Sequence, residues 1–221
     1  MNPFVPRPAL LVFDLDGTLL DSLPEITSSL NELRRQFERS ELPAETVRRA
    51  IGDGALILLE RTCPDILDAH ADLTPALLFE RFRQIYVDHS LQDPRYYPGA
   101  REFLELARAH CRLAVLTNKP EAVTGPLLAR LEIEAWFVRV LCPENARARK
   151  PSPEGLRGLL EELGLSPSQA VFIGDSSKDF EAGRGAGVHT VGMRGGYGKP
   201  GGPEPDFWAD DFATLLRLFA G

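Results

Sequence analysis

The sequence predicts an α/β protein, with a doubly wound parallel sheet as the core and an all-helical domain inserted into it. Two observations support this class. Short apolar runs alternate with amphipathic stretches of helical periodicity, which is typical of parallel strands joined by helices. The region 20–93 interrupts this alternation, because it contains helix signals and no strand signal.

The first predicted strand ends in a pair of carboxylates. An apolar run over residues 9–13 is followed by Asp14, one leucine, Asp16 and a Gly-Thr pair. An apolar run that ends in a turn signal predicts a strand buried on both faces. Acidic groups at the end of such a strand are costly unless a cation compensates them. Hard cations such as Mg²⁺ take carboxylate and carbonyl oxygens, so the pattern favours a metal site over a polar turn.

The inserted region begins directly after this strand. Asp21 and Pro24 mark a helix start, and apolar residues at spacings of three and four continue the helix to Phe37. Pro43 and Pro75 lie at the start of further helical stretches. We therefore expect a helical cap domain over 20–93 and a core domain formed by 1–19 and 94–221.

The rest of the chain predicts four more strands, at 113–116, 136–141, 170–173 and 188–191. Polar residues follow two of them, since Thr117 and Asn118 come after one strand and Gly174, Asp175 and Asp179 after another. Ligands of open α/β sheets bind outside the carboxyl ends of the strands. We therefore expect these residues to converge on the first acidic pair, with the cap domain above them.

Four motifs stand in a fixed order along the chain. They are Asp14-x-Asp16-Gly17-Thr18, Thr117-Asn118, Lys150-Pro151 and Gly174-Asp175-x-x-x-Asp179. On a Rossmann-like scaffold this ordered set resembles the haloacid dehalogenase-like hydrolases, and the insertion resembles their helical cap. The resemblance covers nearly the whole chain.

The resemblance implies a Mg²⁺-dependent phosphomonoester hydrolase. Phosphoryl transfer needs a nucleophile, a cation, donors to the phosphate oxygens and a proton for the leaving group. Asp14 would attack phosphorus to form an aspartyl-phosphate, and Asp16 would act as general acid and base. The dehalogenases of this superfamily lack an acid at the position of Asp16, so its presence favours phosphate esters over haloacids.

The same resemblance assigns the other site residues. The metal ligands would be an Asp14 oxygen, the Asp16 carbonyl and the Asp175 carboxylate, while Asp179 would act through water or orient the ligands. The phosphoryl group would be bound by Thr117, Asn118 and Lys150. Taken singly, each of these residues also has a plain structural explanation. Thr117 and Asn118 fit a strand-end turn, Lys150 fits a solvated loop lysine, and Asp179 fits a helix N-cap. Their joint arrangement favours the site.

A loop in the cap resembles that of one subgroup, the phosphoglycolate phosphatases. Residues Gly52, Asp53 and Gly54 fall where those enzymes commonly carry Gly-Asn-Gly, so Asp53 is a departure. We expect this loop to contact the substrate through backbone N–H groups, although a plain interhelical turn explains it equally well. Phosphoglycolate is the expected substrate. The alternatives are a β-phosphoglucomutase-like isomerase, a sugar-phosphate or pyrophosphate phosphatase, and a metal-binding module without turnover.

Composition limits the partners. The formal net charge of −7 argues against a nucleic-acid or acidic-membrane partner. Three widely spaced cysteines suggest neither a disulfide framework nor a zinc site. No apolar run has the length of a membrane span. We expect a cytoplasmic enzyme with a small-molecule substrate, either a monomer or a homodimer.

Overall fold

Six parallel strands form one sheet in the computed structural model, which describes residues 2–144, 149–198 and 201–221. The spatial order within these residues is β3-β2-β1-β4-β5-β6. The strands are β1 Leu10–Phe13, β2 Arg112–Leu116, β3 Phe137–Leu141, β4 Ala170–Gly174, β5 His189–Met193 and β6 Phe207–Ala209.

Strand β1 lies in the middle of the sheet and carries the first acidic pair at its carboxyl end. It pairs in parallel with β2 on one side and β4 on the other. Leu11 and Phe13 face one layer of buried apolar residues, while Leu10 and Val12 face the other. Both faces are therefore covered, which explains why the strand is a continuous apolar run rather than an alternating one.

Helices cover the two faces of the sheet. In the core these are α6 Ala100–Arg108, α7 Glu121–Arg130, α8 Glu154–Leu163, α9 Ser177–Ala186 and α10 Phe212–Ala220, with 3₁₀ turns at Glu134–Trp136 and Pro167–Gln169. The predicted class, a doubly wound parallel α/β sheet, is confirmed. The sequence did not predict β6, whose three residues are too few for a periodic signal.

The insertion after β1 is entirely helical, as predicted. It contains α1 Leu23–Gln36, α2 Ala44–Arg48, α3 Ala55–Thr62, α4 Pro64–Ala69 and α5 Pro75–Gln92. These helices share a hydrophobic core that also includes Val123 of α7, so the cap packs directly on the core domain. The two connections run side by side, with Asp21 N–H donating to the Arg95 carbonyl at 2.9 Å. The exact domain boundaries remain a prediction.

One buried arginine joins several segments of the cap. Arg34 of α1 donates to the carbonyl oxygens of Ser40 and Thr62, both at 2.7 Å. It also donates to both carboxylate oxygens of Asp65 in α4, each at 2.9 Å. Because the guanidinium can hold this fork geometry rigidly, one side chain fixes α1 against the end of α3 and the start of α4.

Among the described residues, no helix combines the length and the apolar character that crossing a membrane requires.

Candidate active site

The carboxyl edge of the sheet brings the predicted site residues together. Asp14 and Asp16 follow β1, Thr117 and Asn118 follow β2, and Asp175 follows β4. A cavity of about 40 Å³ lies over this edge, and its walls come from both the core and the cap. We refer to it as the active-site cavity. Its position is the one expected for a ligand of a doubly wound sheet.

Lys150 lies between two of the carboxylates. Its ammonium is 2.8 Å from Asp14 Oδ2 and 2.6 Å from Asp179 Oδ1, and all three side chains are buried. Burial opposes the lysine charge, but the two carboxylates more than compensate and raise the pKa of Lys150. Lys150 is thus a buried cation at the nucleophile position and not a solvated loop lysine.

Asp179 has a second, structural role at the start of α9. Its Oδ2 accepts hydrogen bonds from the backbone N–H of Ser176 at 2.9 Å and from the Ser176 hydroxyl at 2.7 Å. This is a capping box in which Asp179 is the third helical residue rather than the N-cap. The carboxylate therefore fixes the helix start with one oxygen and Lys150 with the other.

Asp175 is held by a loop that follows β5. Its Oδ2 accepts from the backbone N–H groups of Tyr197 at 2.6 Å and Gly198 at 3.0 Å, and its Oδ1 accepts from the Thr18 hydroxyl at 2.9 Å. A Cβ atom at Gly196 would overlap the Asp175 side chain. Glycine in this loop thus allows the backbone to close around the carboxylate.

The same loop contacts the connection to the cap. The Tyr197 hydroxyl donates to Asp21 Oδ1 at 2.6 Å and accepts from the backbone N–H of Leu23 at 2.8 Å. Arg48 of α2 donates to the carbonyl oxygen of Gly196 at 2.6 Å. One short loop therefore touches both the Asp175 carboxylate and the first residues of the cap.

Three carboxylates form a cluster that suits a divalent cation. Asp14, Asp175 and Asp179 each place an oxygen within 4.8 Å of the other two. Burial raises the pKa of Asp14 to about 6. Burial, together with the two neighbouring carboxylates, raises the pKa of Asp175 to about 8. One ammonium does not balance three buried carboxylates, and oxygen ligands of this kind are those that hard cations prefer.

The residues after β2 divide between binding and positioning. The Thr117 hydroxyl accepts from the Lys119 backbone N–H at 3.2 Å, which leaves its own hydrogen available to an incoming oxygen. Asn118 uses both side-chain donors on backbone carbonyls, those of Gly52 at 3.0 Å and Lys150 at 3.1 Å. The side-chain carbonyl oxygen of Asn118 accepts a hydrogen bond from the Lys150 backbone N–H at 3.0 Å. These side-chain contacts position Lys150 and the cap loop, and phosphate binding by Asn118 stays a prediction.

Asp16 points toward the cap and pairs with a lysine that the sequence analysis did not select. Lys119 Nζ is 3.0 Å from Asp16 Oδ1 and 2.6 Å from the Tyr86 hydroxyl of α5. Burial opposes this lysine charge too, but Asp16, Tyr86 and Glu25 raise the pKa of Lys119. Burial also raises the pKa of Glu25, to about 7. The general-acid candidate is thus linked to the cap through one buried ammonium.

The cap loop lies beside the active-site cavity. Gly52 and Gly54 line the active-site cavity, and both have positive φ angles of 113° and 86°. Asp53 forms ion pairs with Arg61 of α3 and with Lys178 of α9. Its charge is therefore matched by two cations, one from the cap and one from the core.

Sequence reasoning missed Lys119, Tyr86 and Tyr197. Lys119 stands directly after the Thr-Asn pair, and this adjacency was the signal that could have found it. Tyr86 shares the helical periodicity of core residues, and Tyr197 lies in a glycine-rich stretch typical of a mobile loop. Neither tyrosine is distinguishable from a structural residue without the tertiary contacts.

Comparison with known proteins agrees with this geometry. The family model described as haloacid dehalogenase-like hydrolase matches residues 11–193. The chain is 35% identical over 216 residues to a phosphoglycolate phosphatase of Pseudomonas putida, covering 95% of this chain and 79% of that protein. It is 37% identical over 217 residues to a phosphoglycolate phosphatase of Mannheimia succiniciproducens, covering 95% and 97%.

Solved structures show the same fold. A predicted phosphoglycolate phosphatase from Haemophilus somnus superimposes with a TM-score of 0.84 at 33% identity, covering 95% of this chain and 97% of that one. CbbY from Rhodobacter sphaeroides in complex with phosphate superimposes with a TM-score of 0.81 at 24% identity, covering 97% and 100%. The four ordered motifs, the helical insertion and these matches lead to one conclusion. The chain belongs to the haloacid dehalogenase-like hydrolases.

Proposed function

We propose that the protein is a Mg²⁺-dependent phosphomonoester hydrolase whose substrate is phosphoglycolate. The observation that carries the proposal is the buried Asp14 carboxylate, 2.8 Å from Lys150 Nζ at the end of the central strand. This group is a nucleophile next to a phosphate-binding cation. The identity of 35–37% to proteins named phosphoglycolate phosphatase supports the substrate.

In the first step Asp14 attacks phosphorus and the bond to the ester oxygen breaks, which gives an aspartyl-phosphate. Asp16 donates a proton to the departing alkoxide. In the second step Asp16 takes a proton from water, the water oxygen bonds to phosphorus, and the bond between phosphorus and the Asp14 oxygen breaks. This step releases inorganic phosphate and restores the Asp14 carboxylate. Lys150 and the Thr117 hydroxyl hold the phosphoryl oxygens, which carry the growing charge.

Asp14, Asp175 and the Asp16 carbonyl would hold Mg²⁺, with Asp179 orienting the site through Lys150 and Ser176. The cation would supply charge neutralisation for the phosphate and the buried carboxylates. The raised pKa values of Asp14 and Asp175 support this assignment, because a buried carboxyl cluster without a cation tends to hold protons instead.

The cap supports a small substrate. Ile51, Gly52 and Gly54 of the cap lie beside the core residues that line the active-site cavity. A cap that closes over the substrate would exclude water during the first step and would select substrates by size. The cysteines Cys63, Cys111 and Cys142 are all free, which supports the proposal of a cytoplasmic setting.

The test is phosphate release from a panel of esters, with and without Mg²⁺, using Asp14→Asn as the blank. The panel contains phosphoglycolate, several sugar phosphates, pyrophosphate and nucleotides. We expect Mg²⁺-dependent release with the highest kcat/KM for phosphoglycolate. A higher kcat/KM for another ester would reject this substrate, and phosphate release by the Asp14→Asn variant would reject the nucleophile. Conversion of β-glucose 1-phosphate to glucose 6-phosphate would indicate a mutase.

A further inference from the structure

Lys119 is a fully buried ammonium between the acid–base candidate and the cap. Its side chain has 0% exposure. Two of its donors are directed at Asp16 Oδ1 and the Tyr86 hydroxyl, at 3.0 Å and 2.6 Å. Lys119 and Tyr86 both contribute to the wall of the active-site cavity. The mechanism above uses neither of them, although a buried charge is costly to maintain.

Among the described residues, the Lys119 ammonium and the Tyr86 hydroxyl each have one hydrogen-bond donor without an acceptor. A lysine ammonium has three N–H groups, and among the described residues only two of them have a partner. The Tyr86 hydroxyl accepts from Lys119, and its own hydrogen has no acceptor in the described part of the chain. Two donors from one corner of the cavity would suit a group that only accepts hydrogen bonds.

Apart from Tyr86, the cap side chains that line the described cavity wall are apolar. Ile26, Ile51 and Leu58 supply apolar surface at the cavity. A carboxylate has acceptor oxygens only, and its charge is best tolerated in an apolar wall when a cation lies against it. Lys119 is the cation that the described cavity wall provides besides Lys150, which already lies against Asp14 and Asp179.

The connectivity of the site also limits where the carboxylate lies in the substrate. Asp16 has to reach the ester oxygen to protonate it, and Lys119 is in hydrogen-bond contact with Asp16. A group bound by Lys119 must therefore lie close to the ester oxygen. In a 2-phosphoryloxy carboxylate the carboxyl carbon is attached to the carbon that carries this oxygen, which satisfies the requirement.

We infer that Lys119, assisted by the Tyr86 hydroxyl, binds the carboxylate of the substrate and selects 2-phosphoryloxy carboxylates over other phosphate monoesters. This inference rests on the proposed function, since it assigns a specificity-determining role within the same site. The sequence resemblance assigned no residue to the part of the substrate beyond the phosphoryl group except the cap loop.

The test compares phosphoglycolate with ethyl phosphate, a smaller ester in which a methyl group replaces the carboxylate. The kcat/KM ratio of the two esters is measured for the wild type, Lys119→Met and Tyr86→Phe. We expect Lys119→Met to reduce the preference for phosphoglycolate by about 10- to 150-fold, the range of a lost charged hydrogen bond. Tyr86→Phe loses a neutral donor, so we expect a decrease of about 2- to 12-fold.

A displaced Asp16 or a smaller folded fraction would lower kcat/KM for both esters. The ratio of the two kcat/KM values cancels such shared effects. Equal losses on both esters in Lys119→Met and in Tyr86→Phe would overturn the inference, as would a wild type without preference for phosphoglycolate. If Lys119→Met does not fold, the Tyr86→Phe ratio decides alone. A wild type that releases phosphate from neither ester would instead refute the proposed function.

Discussion

Replacing Arg34 tests whether one buried guanidinium holds the cap together. The side chain of Arg34 is 7% exposed and spans α1, the turn after it, α3 and α4. The side chain of its sequence neighbour Arg35 is 58% exposed and forms an ion pair with Glu41. Arg34→Met and Arg35→Met thus remove the same charge from adjacent positions of one helix, and the second is the control for the first.

The expected magnitude follows from the contacts. The Thr62 carbonyl is buried and loses a charged hydrogen bond, which costs about 1.5–3 kcal/mol. The Asp65 carboxylate is 43% exposed, so loss of that pair adds at most about 1 kcal/mol. Ser40 is exposed, and water can replace the donor to its carbonyl. We expect Arg34→Met to lower the free energy of unfolding by about 3 kcal/mol and Arg35→Met by at most about 0.5 kcal/mol.

Urea unfolding followed by circular dichroism measures both values. A difference between the two variants of less than about 0.5 kcal/mol would refute the structural role of Arg34. The pH dependence gives a second check, because Arg34 holds the pKa of Asp65 below its usual range. The pKa of an aspartate in the unfolded chain is about 3.9. A carboxylate whose pKa is lower in the folded protein stabilises the fold at pH values above about 3.9, and this stabilisation is lost as the pH falls through the lower, folded-state pKa. We expect the stability gap between wild type and Arg34→Met to narrow below about pH 4.

Three substitutions test the catalytic site. Asp14→Asn should abolish phosphate release while the far-UV circular dichroism stays unchanged, and measurable turnover would contradict its role as nucleophile. Asp16→Asn should lower kcat by about 10²- to 10⁴-fold, the usual contribution of proton transfer, and a smaller loss would argue against it. Gly196→Ala places a methyl group against Asp175, so we expect a weaker Mg²⁺-induced rise in melting temperature. Gly195→Ala is the control, since its methyl group would lie 3.8 Å from the nearest side chain, and equal responses of the two variants would contradict the role of this loop.

Local sequence patterns were sufficient to predict the scaffold. The apolar run that forms β1 and the spacing of apolar residues in α1 are properties of neighbouring residues, so the sequence predicts both elements. The four motifs lie at strand ends, and parallel strands bring those ends to one edge. The convergence of Asp14, Asp175 and Thr117 therefore follows from topology alone.

The roles of individual side chains depend on contacts between distant segments. Lys119 meets Tyr86 only because α5 packs against α7, and no local pattern encodes that contact. The side-chain N–H groups of Asn118 donate to backbone carbonyls of two other segments, and the sequence pattern predicts neither contact. The glycine-rich loop at Tyr197 carries no periodicity, although it holds Asp175 through two backbone N–H groups.

The ion pairs of Asp53 affect how substrate arrives at the site. Asp53 meets Arg61 and Lys178, so these three side chains carry one net positive charge at the edge of the cleft. An anionic substrate is drawn toward such a charge, and dissolved salt weakens the attraction over distances of about 10 Å. Asparagine at this position would raise the local charge by one unit. An anionic substrate is therefore attracted less strongly with Asp53 than it would be with asparagine at the same position.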